Sequence, residues 1–365
     1  MPDRHSRRRD ALRQTVATDG CGAILVSTVV NVGYLTGFSG DSTALIVMAD
    51  RDLAVSDFRY AEQLQNECPD VPTHIRPVNQ KLWAAVADAV GKLGIGNLAF
   101  EANGMFVSDH DTMRAALPGV ATRGVIGRVE ALRAIKDEEE IATIRRAILA
   151  AERAFAMFRA GLRLDESEID AADGMEHYLR RCGSSAAAFE PIVAAGPGSA
   201  LPHARPAAAG RIGDSDFLLV DWGAIVEGYR SDLTRMLVTA KVGTEFARVY
   251  RAVLAAQERA IATIRPGARA SEVDAVARAA IDEAGFGGLF GHGLGHGIGL
   301  AIHESPWLRP DSDDVLRPGM VLTVEPGIYR TGWGGIRIED DVLVTPDGAE
   351  ILTSVPKAIE TLSPY

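Results

Sequence analysis

The chain has 365 residues, of which 47% are apolar and only 6% aromatic, and its formal net charge is −11. That length exceeds one ordinary domain and that composition supports packed cores, so two α/β domains are expected and a disordered chain is excluded. The acidic balance argues against nucleic acid as a partner, no apolar run is long enough for a membrane span or a signal peptide, and the scattered Cys21, Cys68 and Cys182 point to reduced thiols and a cytoplasmic location.

Residues 1–130 alternate short β-rich runs with helical patterns, as a small α/β domain does. Strands are expected over Ala23–Ser27, Thr43–Met48, Leu53–Asp57 and Leu98–Glu101, and helices over Tyr60–Glu67, Gln80–Lys92 and Met105–Ala116. No ligand-like or nucleophilic cluster gathers in this half. A second domain, 137–365, opens at Asp137 with a long helix carrying Ile141, Ile144, Ile148, Phe155 and Phe158 at helical spacing up to Gly161. A helix over Ser167–Cys182 follows. The pair then recurs: Thr244 opens a helix that Pro266-Gly267 ends, and Ser271 to Asp274 reads as a capping box for a helix reaching Gly285. The joints also match, Arg159-Ala-Gly-Leu-Arg resembling Arg265-Pro-Gly-Ala-Arg. An internal duplication is therefore predicted.

Each helix pair is followed by a matched pair of acids. The first is Val220-Asp221-Trp222-Gly223 with Ser231-Asp232-Leu233-Thr234; the second is Val324-Glu325-Pro326-Gly327 with Ile338-Glu339-Asp340-Asp341. Apolar runs end on these carboxylates, and a buried ionised carboxylate costs several kcal/mol or more unless compensated. Four such charges are balanced by two divalent cations. Between the pairs lies Gly291-His292-Gly-Leu-Gly-His296-Gly-Ile-Gly299, whose five glycines in nine residues preclude a stable helix and leave an extended segment open to close approach. His296 adds one nitrogen to an oxygen-rich set, which suits Mn²⁺ and accommodates Co²⁺, Fe²⁺ or Zn²⁺. Arg337, two residues before Glu339, is expected to share its strand face and orient it. Trp222 and Trp307 are read as packing or cleft walls.

Leu-Pro-His203, Val-Asp221-x-Gly-Ala, Ser-Asp232-x-Thr-Arg, His-Gly-x-Gly-His296-Gly-x-Gly, Val-Glu325-Pro-Gly-Ile-Tyr and Arg337-Ile-Glu339-Asp-Asp together resemble the pita-bread metallopeptidases, in the branch of bacterial aminopeptidase P and prolidase. The resemblance spans the chain, since that branch carries a creatinase-like N-terminal domain, matched here by Asn31-Val-Gly-Tyr-Leu-Thr-Gly-Phe and Asp57-Phe-Arg-Tyr. It implies a pita-bread catalytic domain with pseudo-twofold duplication, a homodimer, and proline-containing peptides as substrates. It implies metal ligation by Asp221, Asp232, His296, Glu325 and Glu339. Glu325 would relay the proton of an attacking water, His303 would stabilise the oxyanion, and His203 and His292 would position the substrate and the departing nitrogen. Prolidases of this type often carry an arginine four positions after the motif histidine; Trp307 stands there, with Arg309 beyond it. That departure favours an Xaa-Pro aminopeptidase, with an Xaa-Pro dipeptidase as the alternative and a non-catalytic peptide-binding protein, disfavoured by the intact ligand set, as a third.

Overall fold

The computed structural model describes residues 3–18, 20–239 and 242–361, and the chain divides between Arg133 and Ala134 into two compact units. The N-terminal unit runs α1 (Arg4–Thr18), β1 (Ala23–Val26), α2 (Val29–Thr36), β2 (Ala44–Met48), β3 (Asp52–Ser56), α3 (Ala61–Glu67), β4 (Thr73–Ile75), α4 (Leu82–Lys92), β5 (Asn97–Glu101), α5 (Val107–Ala115), β6 (Ala121–Val125) and α6 (Glu130–Arg133). Its six strands form one sheet in the order β4-β3-β2-β1-β5-β6. The expected strands and helices are present with ends shifted by one or two residues. Helix α1 was not anticipated, because its buried face is built partly from Arg8 and Arg9. Those guanidiniums are satisfied by Tyr34 O at 3.1 Å and by Leu35 O and Asp52 at 2.8 Å, so the helix buries a face without an apolar stripe. Helix α2 was hidden by its β-branched residues, and Gly37 stops it at φ 83°.

The C-terminal unit begins with α7 (Glu138–Gly161), capped reciprocally by Asp137 and Glu140 at 2.9 Å, and α8 (Glu168–Arg181), capped by Ser167 and Asp170. Then follow β7 (Ile192–Ala195), β8 (Phe217–Trp222), the short pair β9 (Ile225–Val226) and β10 (Tyr229–Arg230), and β11 (Leu233–Val238). Helices α9 (Thr244–Ile261) and α10 (Ala270–Glu283) open the second half. It continues with β12 (Gly295–Gly297), β13 (Glu304–Leu308), β14 (Val321–Val324), the pair β15 (Gly327–Arg330) and β16 (Gly334–Arg337), β17 (Asp340–Thr345), β18 (Gly348–Ile351) and β19 (Glu360–Thr361). Two sheets result, β19-β11-β8-β7 and β13-β12-β14-β17-β18. Each half repeats helix, helix, then strand, small hairpin, strand.

Two local expectations change. Helix α9 ends at Ile261, ahead of Pro266, although Ile264 still packs into the same core. Helix α10 starts at Ala270, so Ser271 lies inside its first turn and caps nothing. Asp274 instead accepts from Arg278 at 2.7 Å and from the Leu294 amide at 3.0 Å, which anchors the glycine-rich segment to the helix.

Strand β8 is buried on both faces. Leu218, Val220 and Trp222 pack with α7 and α8, while Phe217 and Leu219 pack with α9 and α10. Period-two alternation therefore puts Asp221 on the face of Phe217 and Leu219, opposite Thr234 of β11. Trp222 stacks on Phe155 at 4.1 Å and donates its indole N–H to Ala151 O at 2.9 Å; it is a core residue and no cleft wall. The three cysteines are free thiols. Among the described residues no helix is long and apolar enough to cross a membrane.

Candidate metal centre and its cleft

The acids arrive at the ends of paired strands. Asp232 immediately precedes β11, Glu325 immediately follows β14, and Glu339 sits between β16 and β17. The two halves are joined at Thr234: its carbonyl accepts from the Glu339 amide at 3.2 Å, and its hydroxyl donates to Glu339 Oε2 at 2.6 Å. His296 is held by β12, whose flanking glycines allow its neighbours to close in. A Cβ on Gly295 would lie 2.0 Å from Thr323 O, and one on Gly297 would lie 2.2 Å from Ser305 O.

His296 Nδ1 donates to Gly297 O at 3.1 Å, which fixes the tautomer and leaves the Nε2 lone pair facing the acids. Nε2 stands 3.4 Å from Glu325 Oε1 and 3.7 Å from Asp232 Oδ2. Asp232, His296 and Glu339 each offer a ligand atom within 4.8 Å of the others. Asp221 lines the same cavity, its Oδ2 bonded to Arg337 and its Oδ1 buried with no hydrogen-bond partner.

With the protein's own groups alone, this cluster is electrostatically unbalanced. Burial, then the neighbouring acids Glu339, Asp221 and Glu325, raises Asp232 well above the usual carboxylate range. Glu339 is raised for the same reasons, and burial pushes Glu325 up to about 8 despite Arg337. Burial also lowers His296 to about 3, so its imidazole is neutral and able to ligate. One guanidinium faces four carboxylates. Carboxylate oxygens with a single imidazole nitrogen form a donor set that fits divalent cations such as Mn²⁺, Fe²⁺, Co²⁺ or Zn²⁺.

The structure assigns Arg337 a different partner from the expected one. Its Nη2 bonds Asp221 and its Nε donates to the Thr234 hydroxyl at 3.0 Å, so it reaches Glu339 only through Thr234. The reason is register: Arg337 closes β16, whereas Glu339 lies beyond that strand. Arg337 Nη1 also donates to the Tyr329 hydroxyl, which stands 2.9 Å from both Arg337 and His292 Nε2. His292 Nδ1 in turn donates to Gly293 O at 2.8 Å. Both ring nitrogens of His292 are thus engaged, and burial lowers it to about 4; it offers the cavity a ring, not a hydrogen bond.

His303, whose side chain is exposed, meets His296 edge-on at 4.3 Å, and partial desolvation lowers its pKa. His203, His292, His303, Arg337 and the five ligand-type residues all line one cavity of about 550 Å³. Sequence reasoning missed the residues that hold these groups. Thr323 donates to Glu325 at 3.3 Å and accepts from the His296 amide at 3.1 Å, and Asp341 accepts from the Asp232 amide at 3.1 Å. Tyr329 was legible in principle: once Gly327 is paired with Arg337, strand alternation puts Tyr329 on the arginine's face.

The family model of metallopeptidase family M24 matches residues 142–346, and that of the Creatinase/Prolidase N-terminal domain matches residues 8–135. The chain belongs to metallopeptidase family M24. It is similar to the uncharacterized peptidase YqhT of Bacillus subtilis, 36% identical over 350 residues that cover 96% of this chain and 98% of the relative. Among solved structures it is similar to the Xaa-Pro dipeptidase from Bacillus anthracis, with TM-score 0.94 and 35% identity over 98% of this chain and all of that one. It is also similar to the X-Pro aminopeptidase from Thermotoga maritima, with TM-score 0.86 and 34% identity over 94% of this chain and 98% of that one. This M24 enzyme therefore combines a pita-bread peptidase domain with a creatinase-like N-terminal domain, and it is a hydrolase.

Proposed function

We propose that this M24 peptidase cleaves the bond preceding proline and releases the N-terminal residue from peptides with proline in second position. Asp221, Asp232, His296, Glu325 and Glu339 would hold two divalent cations, Mn²⁺ foremost. The observation that carries the reading is the convergence of these five donors, three mutually within 4.8 Å, on one cavity of about 550 Å³. When bound, the ions supply Lewis-acid activation of water and of the scissile carbonyl at neutral pH.

The chain's own residues supply the rest. Glu325 is the proton carrier: it takes a proton from the attacking water and delivers it to the departing proline nitrogen, and Thr323 holds its carboxylate in place. His303, its pKa lowered and its ring beside His296, donates an N–H to the oxyanion. The Arg337–Tyr329–His292 chain fixes the cavity wall opposite. Proline suits a dedicated pocket because its amide nitrogen carries no hydrogen for the docking bonds that general peptidases use.

Release of an N-terminal residue from longer peptides, in preference to dipeptide cleavage, is favoured by Trp307. It lines the cavity 36% exposed, an apolar residue at the position where the resemblance to prolidases leads one to expect an arginine, with the Arg309 guanidinium 5.6 Å from its ring. Dipeptide cleavage remains the second reading because of the likeness to the Bacillus anthracis dipeptidase. Metal-stripped protein reloaded with Mn²⁺ is to be offered an X-Pro dipeptide, an X-Pro-Y tripeptide and its N-acetylated form. Cleavage of the free tripeptide alone is expected. Cleavage of the dipeptide alone replaces the proposal with the second reading, and equal cleavage of blocked and free tripeptides overturns the aminopeptidase.

A further inference from the structure

The two histidines that meet edge-on in the cavity are held very differently. His296 sits in β12 between β13 and β14, its amide donates to the Thr323 hydroxyl at 3.1 Å, and its Nδ1 donates to Gly297 O. His303 lies outside the strands, and among the described residues no hydrogen bond reaches its ring. Its ring neighbours are His296 at 4.3 Å and Trp307 at 6.4 Å. The position of this imidazole is therefore inherited from the backbone on either side of it.

That backbone is pinned at the next residue. Glu304 opens β13 opposite Gly297, after which the ladder skips Ser305 and Pro306 to pair Trp307 with His296. The buried Glu304 carboxylate meets Lys136 Nζ at 2.8 Å through Oε1 and accepts from the Ala301 amide at 3.4 Å through Oε2. Lys136 is fixed in turn, since its amide donates to Gly319 O at 2.9 Å and its Nζ stands 3.5 Å from Ala134 O. A Cβ on Gly299 would lie 2.5 Å from Glu304 Oε1 and 3.1 Å from Lys136 Cε, so the pair rests directly against the turn over residues 299–303. Arg230 holds the same turn: its amide donates to Gly299 O at 2.9 Å and its guanidinium to Leu300 O.

A buried ion pair adds little net stability over an apolar pair of similar size, because desolvation offsets the attraction. What it adds is direction, since a buried ammonium accepts the carboxylate in few positions. We propose that Lys136 and Glu304 are positioning residues that fix the 299–303 turn and so keep the His303 ring edge-on to His296. Neither lines the cavity, so both act through the backbone they hold. His296 is secured independently from β14 and by its own Nδ1 bond, so the pair governs the placement of His303 and not the metal ligand beside it. The consequence for turnover rests on the proposed role of His303 at the oxyanion, whereas the clamp itself does not.

The test compares the native protein with Lys136→Met/Glu304→Met, each with and without His303→Ala. Gly299→Ala, which keeps the pair but presses a methyl group against it, is a second variant with the same expected effects. Mn²⁺-loaded proteins are assayed with Ala-Pro-Gly, Mn²⁺ affinity is titrated, and the ring-to-ring nuclear Overhauser effect between His296 and His303 is read in Zn²⁺-loaded, histidine-labelled protein. A preorganised oxyanion donor contributes roughly 10²–10³ in kcat and about 1 Å of misplacement forfeits much of that, so the Met/Met variant should lose roughly tenfold or more in kcat. KM and Mn²⁺ affinity should stay unchanged, the ring-to-ring signal should disappear, and in the His303→Ala background the Met/Met change should cost nothing further. Native kcat with the ring-to-ring signal intact, an equal loss of kcat in both backgrounds, or a parallel loss of Mn²⁺ affinity overturns the proposal. Absence of turnover in every form, or full turnover in His303→Ala, overturns the role given to His303 instead. The ring-to-ring signal then decides alone: its loss in Met/Met upholds the clamp, and its persistence overturns it.

Discussion

Glu339 and Asp340 are adjacent in sequence and buried alike, yet they stand in opposite electrostatic conditions. Asp340 takes Arg235 at 2.7 Å, the Thr353 hydroxyl at 2.6 Å and the Gln257 amide at 3.1 Å, with Lys357 as a second cation. Burial alone would raise its pKa, but Arg235 and Lys357 bring it below the ordinary value. Glu339, on the other side of the chain, meets Thr234 and further acids, and is raised well above its ordinary value. One face of this backbone is neutralised from within the chain; the other requires charge from outside. Asp340 is thus a structural acid and Glu339 a ligand-type acid, although position and burial alone would not separate them.

The largest expected break in that contrast comes from deleting a ligand-type acid. Asp232→Ala or Glu339→Ala should abolish binding of two metal ions and reduce peptidase activity to background while the fold persists, because each removes a like charge from an overcrowded cluster. Metal content after gel filtration, read beside a thermal melt, checks this. Two tightly bound ions in either variant would refute the shared site.

How far the contrast was legible in the sequence follows from the physics of each side. The ligand-type acids announced themselves because they end apolar runs and recur in two matched sets, a pattern that packing has no use for. The helix pairs were equally open, since Asp137 and Ser167 cap where an apolar period of 3.6 begins. The partners were not. Asp340 differs from Glu339 only by its neighbours Arg235, Gln257 and Lys357, which lie about a hundred residues or fewer away and carry no shared spacing. Tyr329, Thr234 and Thr323 hold the site through single hydroxyls, and a lone hydroxyl leaves no periodic trace. Helix α1 escaped because arginines fill part of its buried face, and the Asp274 capping box failed because a long-range bond to the Leu294 amide competes for that carboxylate.

A second internally neutralised acid sharpens the comparison next to the candidate metal centre. Lys136 Nζ meets Glu304 Oε1 at 2.8 Å, with the side chains only 1% and 5% exposed, and Glu304 immediately follows His303. Lys136→Met should destabilise the protein by about 3–5 kcal/mol, because it strands a buried carboxylate. Lys136→Met/Glu304→Met should recover most of that loss, since an apolar pair of similar size carries no desolvation penalty. Denaturant titration of the set measures both.

The Asp340 cluster supplies a pH signature of smaller size. A folded pKa below the ordinary 3.8 means that its stabilisation is fully present above that value and is lost as pH falls through the folded pKa. Arg235→Met should therefore lower stability at pH 7 and flatten the acid limb of the stability curve. A variant whose acid limb matched that of the native protein would show that Asp340 contributes nothing there.

The smallest expected effect tests whether the two faces communicate. Thr234 is the one hydroxyl that accepts from Arg337 at 3.0 Å and donates to Glu339 at 2.6 Å, across the bridge between the two halves. Thr234→Val keeps the shape and the β-branch but leaves a buried guanidinium N–H and a carboxylate oxygen without that partner, at a cost of about 1–3 kcal/mol. If Thr234 only fills space, stability alone should change. If it holds Glu339 in a ligating position, metal affinity should fall as well, with kcat reduced at saturating Mn²⁺ and KM little altered, while Thr234→Ser, which keeps the hydroxyl, should restore both. Unchanged metal affinity in Thr234→Val would confine the link between the halves to the backbone bond from the Glu339 amide to Thr234 O.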